Sequence, residues 1–187
     1  MKVVLGGSRA DVYPGTPFSF YKTLILLYNY NRNDNKQKGH TKMTKMNNKD
    51  SLLIETLKPA ATSALKNSYA PYSHFHVAAA VLGASGRVYT GVNVENASYP
   101  AGICAERNAI FHAVAEGEKE IEAILITGCD EEGKQAYCPP CGVCRQVMRE
   151  FADPKKLKVI VLSEEGEKVY TLEDLLPDSF GPEKLQV

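Results

Sequence analysis

Residues 104–129, CAERNAIFHAVAEGEKEIEAILITGC, hold the reading that decides the fold. Composition and spacing over 103–116 predict a helix, and the apolar run IEAILIT (121–127) predicts a buried strand. The alternation repeats downstream. Residues 142–151 read as a second helix, KVIVL (158–162) as another apolar strand, and a short helix around 172–176 closes the core. Upstream, FHVAAAVL (75–82) and RVYTGV (87–92) flank Gly83-Ala84-Ser85-Gly86 and predict a hairpin. A hairpin followed by alternating helix and strand predicts an α/β sheet with helices on both faces.

Before the hairpin, Ser51 can cap a helix with Glu55 close behind. Leu53, Leu57, Ala60, Ala61, Ala64 and Leu65 supply its apolar stripe, and Pro59 marks a kink or a late start. The regular pattern therefore runs over 51–187, while 1–50 reads as an extension. Positions 29–50 are dominated by Asn, Lys, Thr and Gln and cannot bury enough surface to offset ordering entropy, so disorder is expected there. The apolar patch 18–30 sits late, is interrupted by Lys22, and lacks a small-residue cleavage site. It is read as part of the extension, with Met43 or Met46 as alternative starts, rather than as a signal peptide.

The formal net charge is zero, but residues 1–50 carry nine Lys/Arg against three Asp, a local +6 that leaves −6 for the rest. A polynucleotide-binding domain usually shows a basic face, so an acidic folded part favours a small substrate over nucleic acid. No apolar run approaches the roughly 18 residues of a membrane span. All five cysteines, at 104, 129, 138, 141 and 144, fall in one stretch. Clustering and an odd count argue against a secreted disulfide scaffold. They point to a reducing, cytoplasmic setting and metal-bound thiolates.

The chemistry lies in Cys104-Ala105-Glu106 and Pro140-Cys141-Gly142-Val143-Cys144. Three thiolates suit one tetrahedral Zn²⁺ and leave a fourth position for water, which defines a catalytic rather than a closed site. Each cysteine group begins a predicted helix, whose positive end lowers thiol pKa. A dication with three thiolates is formally −1, so a neighbouring cation is wanted. Arg107 is the first candidate and Arg145 the second. Glu106, two positions past Cys104, can stand near the metal unligated and act as general acid and base.

Other readings of the same residues stand beside this one. A closed structural zinc would need a fourth ligand from Cys138 or Cys129, and Cys141-x-x-Cys144 alone would also suit redox chemistry. Cys138-Pro-Pro-Cys141 is a rival register. The Pro-Cys-Gly-x-Cys form followed by Arg145-Gln146 favours 141 and 144, leaving Cys129 and Cys138 as ordinary buried thiols. His74 and His76 are read as structural.

Taken together, Cys-x-Glu followed by Pro-Cys-x-x-Cys is the zinc deaminase pattern. Residues 51–187 resemble the small homotetrameric cytidine deaminases in four ordered words: PYSHFHVAAA (71–80), GVNVENASYPAGICAERNAI (91–110), PPCGVCRQVMREF (139–151) and LLPDSFGPEKL (175–185). The resemblance implies a three-layer α/β/α fold with a central mixed sheet and one zinc per subunit. It implies hydrolysis of cytidine and deoxycytidine, within pyrimidine salvage. It also implies site roles. Asn93 and Glu95 would bind the ribose hydroxyls, Phe75 would pack on the pyrimidine, and the Ala105 backbone would meet the base carbonyl. Tyr99 and Phe180 would reach a neighbouring subunit's pocket. As bare residues, 93–96 could equally be a solvated turn, and the three aromatics plain core. Ala78 stands where the family usually has glycine.

Three rivals follow. A deaminase of an aminopyrimidine nucleoside such as blasticidin shares the metal residues. A deoxycytidylate or polynucleotide deaminase needs cations for phosphate. A zinc-structured, non-catalytic module has no open coordination position.

Overall fold

The computed structural model describes residues 2–5, 8–11 and 47–185. They belong to two compact units, Met1–Thr56 and Leu57–Val187.

In the first unit, β1 (Lys2–Leu5) pairs antiparallel with β2 (Ser8–Asp11), from Lys2 opposite Asp11 to Leu5 opposite Ser8. Both strands lie within the stretch read as an extension. In sequence, Gly-Gly separates the two runs, a common hairpin signal. Helix α1 (Asn48–Ala64) also begins earlier than expected, inside the stretch read as disordered. Asn47 rather than Ser51 caps it, its Oδ1 accepting from the Asp50 N–H at 2.8 Å. The rest of the expected disorder, 29–46, lies outside the described residues. Pro59 is exposed within α1 and does not end it.

The second unit is built on a mixed sheet of six strands. They are β3 (His76–Gly83), β4 (Val88–Val92), β5 (Ile121–Cys129), β6 (Gln135–Ala136), β7 (Lys158–Ser163) and β8 (Gly166–Thr171), in the order β4-β3-β5-β7-β8 with β6 against β5. The hairpin and both apolar strands fall where the sequence places them. Strand β8 was not foreseen. GEKVYT alternates only weakly and is partly exposed, as an edge strand can be.

Only the β5–β7 pair is parallel. That pairing places the site. Helix α2 (Ala105–Ala115) turns through a short loop into β5, and α3 (Gly142–Glu150) turns likewise into β7. A helix that turns back into a strand runs opposite to it. Two parallel strands therefore bring two helix N-termini to the same end of the sheet.

Both sheet faces are buried, which explains the continuous apolar runs. On one face Ala79, Ile126 and Val161 form a cross-strand row, as do Val81, Ile124 and Val159. They pack with Ala105, Ala109, Ile110 and Ala113 of α2 and with Cys144 and Met148 of α3. The other face carries Ala78, Ala80, Leu125 and Ile160, all fully buried, as are Leu57 and Ala61 in the second half of α1. A sheet buried between helical layers is the expected α/β/α arrangement. Helix α4 (Leu172–Leu175) starts in a capping box, Thr171 with Asp174.

Candidate metal centre and substrate cleft

Cys104 and Cys141 occupy the N-cap positions of α2 and α3, both with extended backbone. Neither side chain caps a backbone N–H. Cys144 lies in the first turn of α3 and is fully buried. The three Sγ atoms lie within 4.8 Å of one another, the sole such group among the described residues. Zinc–sulfur bonds of about 2.3 Å in a tetrahedron require sulfurs about 3.8 Å apart, so the donor set fits zinc.

The thiols alone do not share charge evenly. Cys104 is pulled down to about 5, chiefly because the Cys144 thiol donates to it and because Arg107 stands beside it. Cys144 is pushed up by that same bond to Cys104 and by burial. One thiolate is thus supported by the protein, and a bound dication would favour the deprotonated form of its ligands. Arg107 Nη2 donates to Cys104 Sγ at 3.4 Å. Its buried Nε has no partner among the described residues. Arg145 instead braces loops, donating to the Pro140 carbonyl at 2.7 Å and the Leu175 carbonyl at 2.6 Å.

Glu106 is 5% exposed, and its carboxyl is raised above the ordinary glutamate range, first by burial and then by the charge of Cys104. A carboxyl raised this way holds its proton more readily than a free glutamate, which suits a group that must both take and return one. Cys138 is pushed up to about 12 by burial and by the charge of Glu106. It is a protonated thiol outside the sulfur group, packed so tightly on Gly128 that a Cβ there would lie 2.6 Å from its Sγ.

A cleft of about 570 Å³ opens beside these groups. Cys104, Ala105, Glu106, Arg107 and Cys141 line its floor, and Asn93, Glu95 and Tyr99 line its walls. Arg107 is the only cation among the lining residues. Asn93 is more occupied than its expected role suggests. Its Oδ1 accepts from Val77 N–H at 2.8 Å and from Ser68 Oγ at 2.5 Å, and its Nδ2 donates to the Phe75 carbonyl at 2.9 Å. Glu95 Oε2 accepts from the backbone N–H groups of Tyr72 at 2.9 Å and Ser73 at 3.2 Å. These bonds, with the Ser73 hydroxyl first, hold its carboxyl below the usual range.

Two expected contacts are not brought into the cleft of a single chain. The Phe75 ring lies against Gly128, within 3.1 Å of where a Cβ would stand, and does not line the cleft. Phe180 lies on the C-terminal segment, 59% exposed, its carbonyl accepting from Gln146 Nε2 at 2.9 Å. Tyr99 does line the cleft yet is 78% exposed, edge-on to Tyr72 with ring centroids 6.3 Å apart. Ala78 is fully buried and lies outside the cleft lining. The sequence reading assigned nothing to Tyr72, Ser73 and Ser68. The first two fall within PYSHF, and they meet Glu95 partly through backbone N–H groups that residue types do not advertise.

Residues 52–161 match the family described as "Cytidine and deoxycytidylate deaminase zinc-binding region". The chain is 40% identical to a cytidine deaminase of Halalkalibacterium halodurans over 126 residues, 67% of this chain and 92% of that protein. It is 39% identical to a probable cytidine deaminase of Dictyostelium discoideum, over 71% of this chain and 86% of that one. The crystal structure of cytidine deaminase from Burkholderia pseudomallei superposes with a TM-score of 0.61 at 42% identity, covering 67% of this chain and 98% of that one.

Proposed function

The chain belongs to the cytidine and deoxycytidylate deaminase family, and on that premise we propose that it hydrolyses cytidine and deoxycytidine to uridine and deoxyuridine plus ammonia. The observation that carries the reading is a group of three sulfurs, two of them lining the same cleft as buried Glu106, Asn93 and Glu95. Zinc is the metal of this family's site, and Cys104, Cys141 and Cys144 would hold it. When bound, it supplies Lewis acidity that makes water nucleophilic at neutral pH.

Glu106 moves the protons. It takes one proton from the attacking water and gives it to ring N3 as the oxygen bonds to C4. It then takes the second proton from that oxygen and delivers it to the amine, which leaves as ammonia when the C4–N bond breaks. Its raised pKa suits both directions. The Ala105 backbone, at the positive start of α2, would receive the base carbonyl. Arg107 balances the thiolates. Asn93 and Glu95 would hold the sugar.

Between the substrate classes of the family, the cleft supports nucleoside over nucleotide. Its sole lining cation already serves Cys104, and Glu95 would repel a phosphate. Exposed Tyr99 and Phe180 support a homotetramer in which neighbours complete each other's sites. Five free cysteines support a reducing, cytoplasmic setting and, with it, a role in pyrimidine salvage. Residues 51–187 would form the catalytic domain, with 1–50 an extension to it.

The test is ammonia release from cytidine, deoxycytidine, deoxycytidylate, adenosine and blasticidin S, with zinc measured on the same sample. Turnover of the two cytosine nucleosides with about one zinc per chain is expected. Preference for deoxycytidylate or blasticidin S would overturn the substrate assignment.

A further inference from the structure

All but one of the hydrogen-bonding positions of the Asn93 side chain are taken inside the protein. A backbone N–H can meet only the amide oxygen, and a backbone carbonyl only the amide nitrogen. The bonds to Val77 N–H and the Phe75 carbonyl therefore fix which way the amide faces. Val77 and Ser68 fill both acceptor sites of Oδ1, and Phe75 takes one of the two Nδ2 hydrogens. A single N–H is left for the cleft. Toward a ligand, Asn93 can only donate, while ionised Glu95 can only accept. A sugar hydroxyl, which does both, satisfies the pair.

The direction of the next bond follows. Asn93 Oδ1 carries no hydrogen, so the Ser68 hydroxyl must point its own proton there. The Ser68 oxygen, 3.0 Å from His76 Nδ1, then accepts from a hydrogen on that nitrogen. A directed chain runs from His76 through Ser68 to Asn93, and neither His76 nor Ser68 lines the cleft. We infer that Ser68, oriented by His76, is a positioning residue that locks Asn93 as a donor to the sugar and so sets nucleoside affinity. This rests on the proposed role of Asn93 as a sugar contact. It assigns His76 a task beyond the merely structural one that its sequence suggested.

Losing Ser68 frees one acceptor site of Oδ1, so the amide can accept as well as donate and is held by two bonds instead of three, while Glu106 and the sulfurs are untouched. The experiment compares the unsubstituted enzyme with Ser68→Ala, Ser68→Thr and His76→Phe. It reads kcat and KM for cytidine, the Kd for uridine by calorimetry, zinc content and Tm. In Ser68→Ala, KM and Kd should each rise about fivefold, the worth of one hydrogen bond, with kcat within about twofold. Ser68→Thr should restore both, and His76→Phe should shift both the same way by less. If Ser68→Ala does not fold, the His76→Phe and Ser68→Thr pair decides by the same constants. Unchanged KM and Kd beside a lowered Tm would make the chain a structural brace and overturn the inference alone. An unsubstituted protein that binds uridine but releases no ammonia would overturn the deaminase reading, and Kd would still judge the inference. One that does neither would overturn both.

Discussion

Gly91 of β4 and Ala109 of α2 meet backbone to backbone: a Cβ on Gly91 would lie 2.2 Å from the Ala109 nitrogen and 2.7 Å from the Ala105 carbonyl oxygen. The helix that begins beside Cys104 is thus seated on a strand through a position only glycine can fill. Gly91→Ala places a methyl group against main chain that has no rotamer to change. Overpacking of this kind commonly costs 1–3 kcal/mol, and ~3 kcal/mol is expected where backbone must shift. Thermal unfolding should show the loss, and zinc content should fall with it, because Cys104 moves away from Cys141 and Cys144. A Gly91→Ala protein with unchanged Tm and full zinc would contradict this seating.

Arg107 contacts Cys104 Sγ at 3.4 Å and is the only cation lining the cleft. Arg107→Gln keeps a polar side chain but leaves the thiolates uncompensated. Zinc should be lost to a competing chelator about tenfold more readily, as for other groups that support metal ligands from behind. Equal zinc retention in the two proteins would show that the helix N-termini balance the charge without it.

The C-terminal segment is pinned to α3, which carries Cys144, partly through Glu183. Arg149 donates to Glu183 at 2.5 Å and to Ser179 Oγ at 3.0 Å. The Glu183 carboxyl is lowered, first by its own backbone N–H and then by Arg149. A lowered folded pKa adds stability that is present above the unfolded glutamate value of about 4.3 and is lost as pH falls through the folded one. The Tm difference between the unsubstituted protein and Glu183→Gln should therefore be visible at pH 7 and shrink as pH falls below about 4.3 and through the lowered folded value. A difference that persists in acid would mean that Glu183 acts through something other than its charge, and no difference at pH 7 would mean that Arg149 holds the segment through Ser179 alone.

Local features were legible in the sequence. The cysteine spacing, the helices that begin at Cys104 and Cys141, and the apolar strands each depend on near neighbours, and each lies where it was expected. Features carried by distant partners were not. The identity of Asn93 suggested a ligand contact. That it also ties Ser68, Phe75 and Val77 together depends on a fold that brings positions 68 and 93 side by side. The cap at Asn47 was hidden by its polar surroundings, which read as disorder although one side chain suffices to start the helix. Strand β8 was hidden because its stability comes from pairing with β7 rather than from its own weak alternation. Phe75 was legible as an aromatic but not in its direction, which Gly128 and Cys138 decide.

The central claim is that buried Glu106 moves protons beside a metal it does not hold. Glu106→Gln preserves shape and removes the proton carrier. Zinc content and ammonia release from cytidine, measured on one preparation, decide the matter. Glu106→Gln should carry about one zinc per chain, as in the unsubstituted protein, with turnover reduced at least about 10³-fold. Turnover within tenfold of normal, or loss of the zinc along with the activity, would contradict it.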